Sequence, residues 1–98
     1  MIRLEVTQGL ARGSRHESSA GLIRLGRGAT NDFVLPDEHV SGEHARIVSG
    51  DERYLLRDLR STNGTTIVRG QLRIALDEGN GREATLEAGD VVELGQGD

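Results

Sequence analysis

Short runs of alternating or continuous apolar residues recur along the whole chain. Residues 2–6 alternate apolar and charged side chains, the period-2 pattern of a half-buried β-strand. Residues 22–25 (Leu-Ile-Arg-Leu) predict a second strand, and Gly26-Arg27-Gly28 ends it. Seven further runs of this kind predict strands at residues 33–35, 44–48, 54–59, 66–68, 72–76, 84–86 and 91–94.

Turn residues separate these runs at nearly every junction. Residues 9–13 and the pair Gly89-Asp90 predict turns, and residues 49–52 predict a hairpin connection. Pro36, the one proline, stops the run that precedes it. Residues 77–83 are polar and predict a solvated loop. Short strands at this spacing with little helical periodicity predict an all-β sandwich or barrel.

Composition limits the size and class of the protein. Its 98 residues fit one domain, which we place at 1–98. Cysteine is absent, and no apolar run approaches the roughly 18 residues of a membrane helix. The first residues lack the apolar stretch of a secretory signal, so we expect a cytoplasmic protein that binds no membrane.

Charge narrows the classes of partner and chemistry. The 12 basic residues, all arginine, are outnumbered by 16 acidic ones, giving a net charge of −4. Nucleic-acid binding needs a basic face, so we expect none. Without lysine there is no P-loop lysine or Schiff base, and we expect neither a cofactor nor a metal.

Three polar clusters follow predicted strands, where binding residues often lie. They are Gly26-Arg27, residues 41–44 (Ser-Gly-Glu-His) and residues 58–65 (Asp-Leu-Arg-Ser-Thr-Asn-Gly-Thr). Together they supply a guanidinium, several hydroxyls and an asparagine amide. A tetrahedral dianion needs such a set, because Arg presents a planar fork to two oxygens and hydroxyls can donate to a third.

The ordered set of these residues resembles the forkhead-associated (FHA) domain family. The residues that match its pattern are Gly26-Arg27, Asn31, Leu35, Val40-Ser41, His44-Ala45, Leu56, Asp58-Leu59, Ser61, Asn63-Gly64-Thr65 and Gly70. The motif-bearing part is residues 22–94. The resemblance implies a two-sheet sandwich of about eleven short strands. It also implies a phosphothreonine-binding interaction module of a larger signalling or regulatory protein, acting downstream of a Ser/Thr kinase and without enzymatic activity.

The resemblance assigns roles to individual residues. Arg27, Ser41 and Thr62 would hold the phosphate, and Asn63 would bond the peptide backbone. Gly26, His44 and Gly64 would support the loops. Gly42 departs from the family, which often has a polar or basic side chain there, and offers only its backbone N–H. Candidate readers of the third residue after the phosphothreonine are His39, Arg60 and Arg69, the last because Val68-Arg69-Gly70 replaces the frequent Val-Asn-Gly.

Other interpretations of these residues remain weaker. Gly42 favours a phosphate-independent interaction module of the same fold. Ser41, His44 and Asp58 contain the residue types of a catalytic triad, without evidence of triad geometry. His39 and His44 have the spacing of half a zinc site, with no cysteine to complete it.

The resemblance also implies one more strand after residues 89–95, beside the first strand. No apolar stretch remains in residues 96–98 to form it. Without a substitute, the strands predicted at residues 2–6 and 91–94 would expose unpaired backbone edges. We expect either a fragment whose next residues supply this strand or a second copy that lends one.

Overall fold

The structure, a computed structural model, describes residues 1–9 and 12–95 and is almost entirely β-structure. Its strands are β1 (Ile2–Glu5), β2 (Arg15–Ser18), β3 (Leu22–Gly26), β4 (Phe33–Val34), β5 (Ala45–Gly50), β6 (Arg53–Asp58), β7 (Thr65–Arg69), β8 (Leu72–Ala75), β9 (Glu83–Leu86) and β10 (Val91–Leu94). A 3₁₀ turn, Glu78–Asn80, interrupts the loop predicted at 77–83. Within this part of the chain, no helix is long and apolar enough to cross a membrane.

The strands form three hydrogen-bonded groups. A five-stranded sheet has the order β4-β3-β5-β6-β9, in which β3 and β4 are parallel and the other neighbours are antiparallel. A three-stranded sheet has the order β10-β7-β8, and β1 pairs with β2 as a hairpin. The predicted all-β fold is therefore confirmed.

The core lies between the five-stranded sheet and the other two groups. Ile23, Ile47 and Leu56 point inward from β3, β5 and β6, while Ile67 points inward from β7; each is at most 1% exposed. Partly buried residues of β1 and β10 pack against the same cluster. Alternation along each strand leaves the opposite face of the five-stranded sheet in solvent. The arrangement is the predicted sandwich, with the layer opposite the five-stranded sheet divided between β10-β7-β8 and the β1–β2 hairpin.

The strand β2 has no counterpart among the strands predicted from the sequence. Its residues, Arg-His-Glu-Ser, carry no apolar alternation. It forms because the chain turns back on β1, so that Ile2 lies opposite Ser18, and the ring of His16 stacks on Phe33 with centroids 5.3 Å apart. Pairing with a neighbouring strand here outweighs local propensity.

A groove of about 780 Å³ separates β1 from β10. Leu25, Phe33 and Val40 of the core lie in its lining. Within residues 1–9 and 12–95, β1 pairs with β2 alone and β10 with β7 alone. The final strand implied by the family resemblance would follow residue 95, and residues 96–98 lie outside the described residues.

Candidate functional site

Three connections meet at one end of the five-stranded sheet. The register aligns Leu25 of β3 with Ala45 of β5, and Ala45 with Asp58 of β6. The connections β3–β4, β4–β5 and β6–β7 therefore begin or end at the same end of the sheet. We call them the first, second and third connection. This topology brings together the three polar clusters that are far apart in the sequence.

Gly26 fixes the contact between the first two connections. A Cβ atom at this position would lie 2.3 Å from the carbonyl oxygen of Gly42, so only glycine fits. That carbonyl accepts hydrogen bonds from the N–H of Gly28 (3.0 Å) and the side-chain amide of Asn31 (2.7 Å). Arg27 N–H donates to the carbonyl of Ser41 at 2.9 Å. The two connections thus form one unit.

His44 links the second connection to the third. Its ring is fully buried; Nδ1 accepts the N–H of Ser41 at 3.0 Å, and Nε2 lies 2.8 Å from the carbonyl of Gly64. Because a backbone N–H can only donate, Nδ1 is unprotonated, and Nε2–H donates to Gly64. Burial lowers the pKa of His44, against the opposing effects of the Gly64 carbonyl and the Asp58 charge. The imidazole is therefore a neutral brace.

Direct contacts also join the second and third connections. The N–H of Thr62 donates to Oγ of Ser41 at 3.0 Å, and the side-chain amide of Asn63 donates to the carbonyl of His39, also at 3.0 Å. Gly64 has φ +86°, a left-handed conformation that favours glycine. The turn that carries Thr62 and Asn63 is thereby held against the turn that carries Ser41.

Asp58, the last residue of β6, holds the third connection in place through hydrogen bonds. Its buried carboxylate accepts hydrogen bonds from the hydroxyls of Ser61 and Thr65 and from the N–H of Ser61, and Arg82 lies 3.6 Å away. Burial alone would raise the pKa of Asp58, but the bonds from Ser61 and Thr65 lower it below its usual value. Ser61 Oγ in turn accepts the N–H of Gly64.

Several hydrogen-bond donors at this end have no partner within residues 1–9 and 12–95. They are the exposed guanidinium of Arg27, the exposed hydroxyl of Thr62 and the N–H of Gly42. The Ser41 hydroxyl accepts from Thr62 but keeps its own proton free to donate. These donors lie on connections that hydrogen bonds hold to one another.

The three candidate specificity residues lie in different settings. His39 is half-exposed, and both its N–H and its Nδ1 contact Asp37. Arg60 is exposed, has φ +56° and lines a shallow cleft with Arg82. Both belong to the connections that form the site.

Arg69, the third candidate, lies outside these connections. It ends β7, whereas Thr65 at the start of β7 adjoins the site. Its guanidinium makes two hydrogen bonds to Asp90 (2.8 and 2.9 Å) and one to the carbonyl of Thr85 (3.0 Å). Arg69 therefore ties β7 to the turn between β9 and β10.

The geometry also bears on the weaker interpretations. The imidazole of His44 bonds the backbone N–H of Ser41 rather than its hydroxyl, and the Asp58 oxygens bond Ser61 and Thr65. These residues therefore lack the arrangement of a catalytic triad. Both ring nitrogens of His44 are used inside the fold, so His44 cannot complete a zinc site with His39.

Two residues gain roles that sequence reasoning did not assign. Asn31 braces the carbonyls of Gly28 and Gly42, and Asp58 anchors Ser61. Both residues match the FHA pattern in the sequence, but the resemblance gave them no role. The Asp-x-x-Ser spacing of Asp58 and Ser61 is a local signal, because short polar side chains often bond backbone N–H groups a few residues on.

Comparison with known proteins adds a family match. A family model described as FHA domain matches residues 23–95. The transcriptional regulatory protein EmbR of Mycobacterium tuberculosis (strain ATCC 25618 / H37Rv) is 36% identical over 72 residues, which are 74% of this chain and 19% of that protein. The chain therefore spans a small part of this curated relative.

Solved structures show the same similarity in three dimensions. The FhaA FHA domain, crystallised in complex with the intracellular domain of Rv3910, has a TM-score of 0.73 and 34% identity, covering 95% of this chain and 90% of its own. A structure described under "phosphothreonine-dependent FHA domain interactions" has a TM-score of 0.69 and 34% identity, covering 95% of this chain and 85% of its own.

Proposed function

The chain belongs to the FHA domain family, whose members are protein-interaction modules, and on this premise we propose that it binds threonine-phosphorylated protein segments. In this proposal Arg27, Ser41, Thr62 and the N–H of Gly42 hold the phosphate. Asn63 bonds the peptide backbone beside it. Gly26, His44 and Gly64 keep the loops in place.

The observation that carries the proposal is that donors without a partner in the described part of the chain lie on loops that hydrogen bonds fix to one another. Arg27 and Ser41 are joined through their backbones, and Ser41 and Thr62 through the serine hydroxyl. A ligand that meets donors already in place loses less entropy on binding than one that must order a loop. The donors face solvent rather than a closed cavity, which suits a group presented on a protein chain.

The chemistry of phosphothreonine fits this set of donors. Its phosphate carries about −1.5 to −2 charges at neutral pH and three strong acceptor oxygens. Each hydrogen bond to a charged group contributes about 1.5–3 kcal/mol. Two or three such bonds separate phosphorylated from unmodified peptide by orders of magnitude. A Ser/Thr kinase acting on the partner would then control binding.

The similar proteins support the proposal by what has been described for them. One solved neighbour concerns phosphothreonine-dependent interactions of FHA domains, and another is a complex with a domain of a second protein. The competing interpretation is an interaction module of the same fold that ignores phosphate. Gly42 favours it, because this position supplies no side chain to the anion.

Calorimetric titration with matched peptides tests the proposal. A degenerate phosphothreonine library, varied at the third residue after the phosphate, should contain binders, whereas the unmodified and Thr→Glu versions should not bind measurably. The Thr→Glu peptide should not bind because glutamate carries a single negative charge on a planar carboxylate. Arg27→Ala should weaken binding by roughly 2–5 kcal/mol, since the phosphate loses its paired charge.

Arg12→Ala serves as the matched control, because the Arg12 guanidinium lies in the β1–β2 connection and makes no ion pair or hydrogen bond within residues 1–9 and 12–95. Neither substitution should alter the free energy of unfolding by more than about 0.5 kcal/mol. Binding that tolerates Arg27→Ala, or equal affinity for the unmodified peptide, would favour the phosphate-independent interpretation.

A further inference from the structure

The register of the five-stranded sheet places three arginines side by side. Arg24 of β3 lies opposite Arg46 of β5, and Arg46 lies opposite Arg57 of β6. Their neighbours along each strand point into the core, so all three side chains leave the outward face of the sheet. Residues directly opposite in a sheet have Cβ atoms about 4.5–5.5 Å apart, and like charges there repel. We call these three residues the arginine row.

The two outer arginines of the row, Arg24 and Arg57, pair with carboxylates, whereas the central Arg46 does not pair with a carboxylate of the described residues. Arg24 bonds Asp32 through its backbone N–H and its Nε, and Arg57 pairs with Glu83 at 3.2 Å. Asp32 raises the pKa of Arg24, with a smaller contribution from Glu43. Arg46 is exposed and has no ion pair or side-chain hydrogen bond within residues 1–9 and 12–95.

A shortage of carboxylates does not explain the unpaired centre. Acidic residues number 16 and basic residues 12, yet Arg46 stands between two other arginines. Cross-strand repulsion makes this arrangement mildly unfavourable for the isolated domain. An external carboxylate above Arg46 would pair the one guanidinium of the row that has no carboxylate partner within residues 1–9 and 12–95.

A second row on the same face is apolar. Leu22, Val48 and Leu55 lie opposite one another, each two residues along its strand from an arginine of the arginine row. Leu22 is 44% exposed, while Val48 and Leu55 are half-buried. Single exposed apolar side chains are ordinary, but adjacent ones across three strands form a continuous strip. We call this second set the apolar row.

We propose that the outward face of the five-stranded sheet is a second interaction surface, for a protein partner that presents carboxylates to the arginine row and apolar side chains to the apolar row. Charge complementarity identifies the acidic character of the partner. The apolar row favours a protein over a nucleic acid, and the negative net charge of the chain also disfavours nucleic acid.

This surface is distinct from the proposed phosphothreonine site but adjoins it. Arg24 precedes Gly26 by two residues, and Arg46 follows His44 by two. The proposed site occupies the loops at one end of the sheet, whereas the two rows occupy its outward face. One partner that engages both would gain affinity without new contacts at the phosphate, because its second contact is intramolecular once the first has formed.

Two-part peptides provide the test. A phosphothreonine peptide that binds the domain is joined by a Gly-Ser linker to a tail of alternating Glu and Leu, and the control tail alternates Gln and Leu. The Glu-Leu tail should tighten binding by about tenfold over the Gln-Leu tail. Arg46→Glu should abolish this gain, and Arg46→Gln should reduce it. Arg12→Glu, with the same charge change outside the sheet, should preserve it.

Spectroscopy with the tails alone separates this proposal from the proposed function. ¹⁵N-labelled protein titrated with the Glu-Leu tail, without phosphothreonine, should show shifts at the arginine and apolar rows even if no phosphopeptide binds. Equal effects of both tails, a gain that survives Arg46→Glu, or shifts elsewhere would overturn the proposal. Stronger perturbation of this face by a short DNA duplex than by the Glu-Leu tail would overturn it in favour of nucleic acid.

Discussion

The N–H of Thr62 donates a hydrogen bond of 3.0 Å to Oγ of Ser41, although the two residues are 21 positions apart. The bond leaves the serine proton and the threonine hydroxyl free to donate to a ligand. In the proposed site, the Ser41 hydroxyl would therefore have two functions, positioning the third connection and donating to the phosphate. A substitution at Ser41 should therefore reveal both.

Ser41→Ala should weaken phosphothreonine-peptide binding by roughly 1.5–3 kcal/mol, because one donor to a charged group is lost. The free energy of unfolding should fall by no more than about 1 kcal/mol, since the exposed Thr62 N–H can bond water instead. Titration calorimetry and urea unfolding measure the two effects, and the amide resonance of Thr62 should shift. Full affinity in Ser41→Ala would remove Ser41 from the proposed site.

Protonation of His44 should destabilise the domain. Burial lowers its folded pKa below the ordinary value near 6.5, so the unfolded chain binds more protons than the folded one in this range. The stability that depends on neutral His44 is fully present above about pH 6.5 and is lost as pH falls toward the lowered value, by up to about 1.4 kcal/mol per pH unit. The main reason is that burial disfavours the charged imidazolium; a protonated Nδ1 also cannot accept the N–H of Ser41.

Urea unfolding from about pH 8 down to about pH 5, across the ordinary histidine pKa, measures this slope. His44→Gln removes the titrating group and should flatten the slope in that window. Asp32, Asp58 and Asp90 have pKa values below the ordinary aspartate value, so their contributions are lost only in more acidic solution. If His44→Gln does not fold, the ¹⁵N shifts of the His44 ring in the unsubstituted protein give its pKa directly. A ring that titrates at or above 6.5 would contradict the prediction.

Gly26→Ala should disrupt binding and stability together. The added Cβ would lie 2.3 Å from the Gly42 carbonyl and 2.8 Å from the Asn31 amide, so the connection carrying Ser41 must move. Overpacking of this kind costs about 1–3 kcal/mol of stability, and the displaced donors should lower peptide affinity more than tenfold. Thermal melts and titrations measure both.

Gly21→Ala is the control for that substitution, because a Cβ there would meet nothing within 4 Å. Its stability should stay within about 0.5 kcal/mol of the unsubstituted protein. Comparable losses in the two variants would mean that general glycine effects, rather than the contact with Gly42, determine the result.

Most strands, and the three polar connections that follow or precede them, could be predicted from the sequence, whereas the hydrogen bonds between these connections could not. Alternation identifies strands such as β1 and β3 because one face of each is buried. It misses β2, whose residues are polar and which forms by pairing with β1. The motif identifies Ser41 and His44, but which atom of Ser41 meets the imidazole depends on three connections converging in space.

Arg69 shows why proximity in sequence misleads along a strand. It follows Thr65 by only four residues, but an extended chain advances about 3.3 Å per residue, so the two lie about 13 Å apart. Glu83, assigned to a loop, instead begins β9, because pairing with Arg57 of β6 extends that strand. Local composition predicts neither the position of Arg69 nor the start of β9 at Glu83.

The two candidate readers Arg60 and Arg69 should respond oppositely to the same substitution. Arg69→Ala removes the paired hydrogen bonds to the nearly buried carboxylate of Asp90 and should cost about 1–3 kcal/mol of stability, with peptide preference unchanged. Arg60→Ala removes an exposed side chain beside the site, so stability should change by no more than about 0.5 kcal/mol. Preference at the third residue after the phosphothreonine should change instead, with acidic residues losing most because the loop loses a positive charge. Screening both variants against the degenerate library, alongside urea unfolding, measures each response. A changed preference in Arg69→Ala would show that Arg69 reads the peptide, and an unchanged preference in Arg60→Ala would remove Arg60 from the candidate readers.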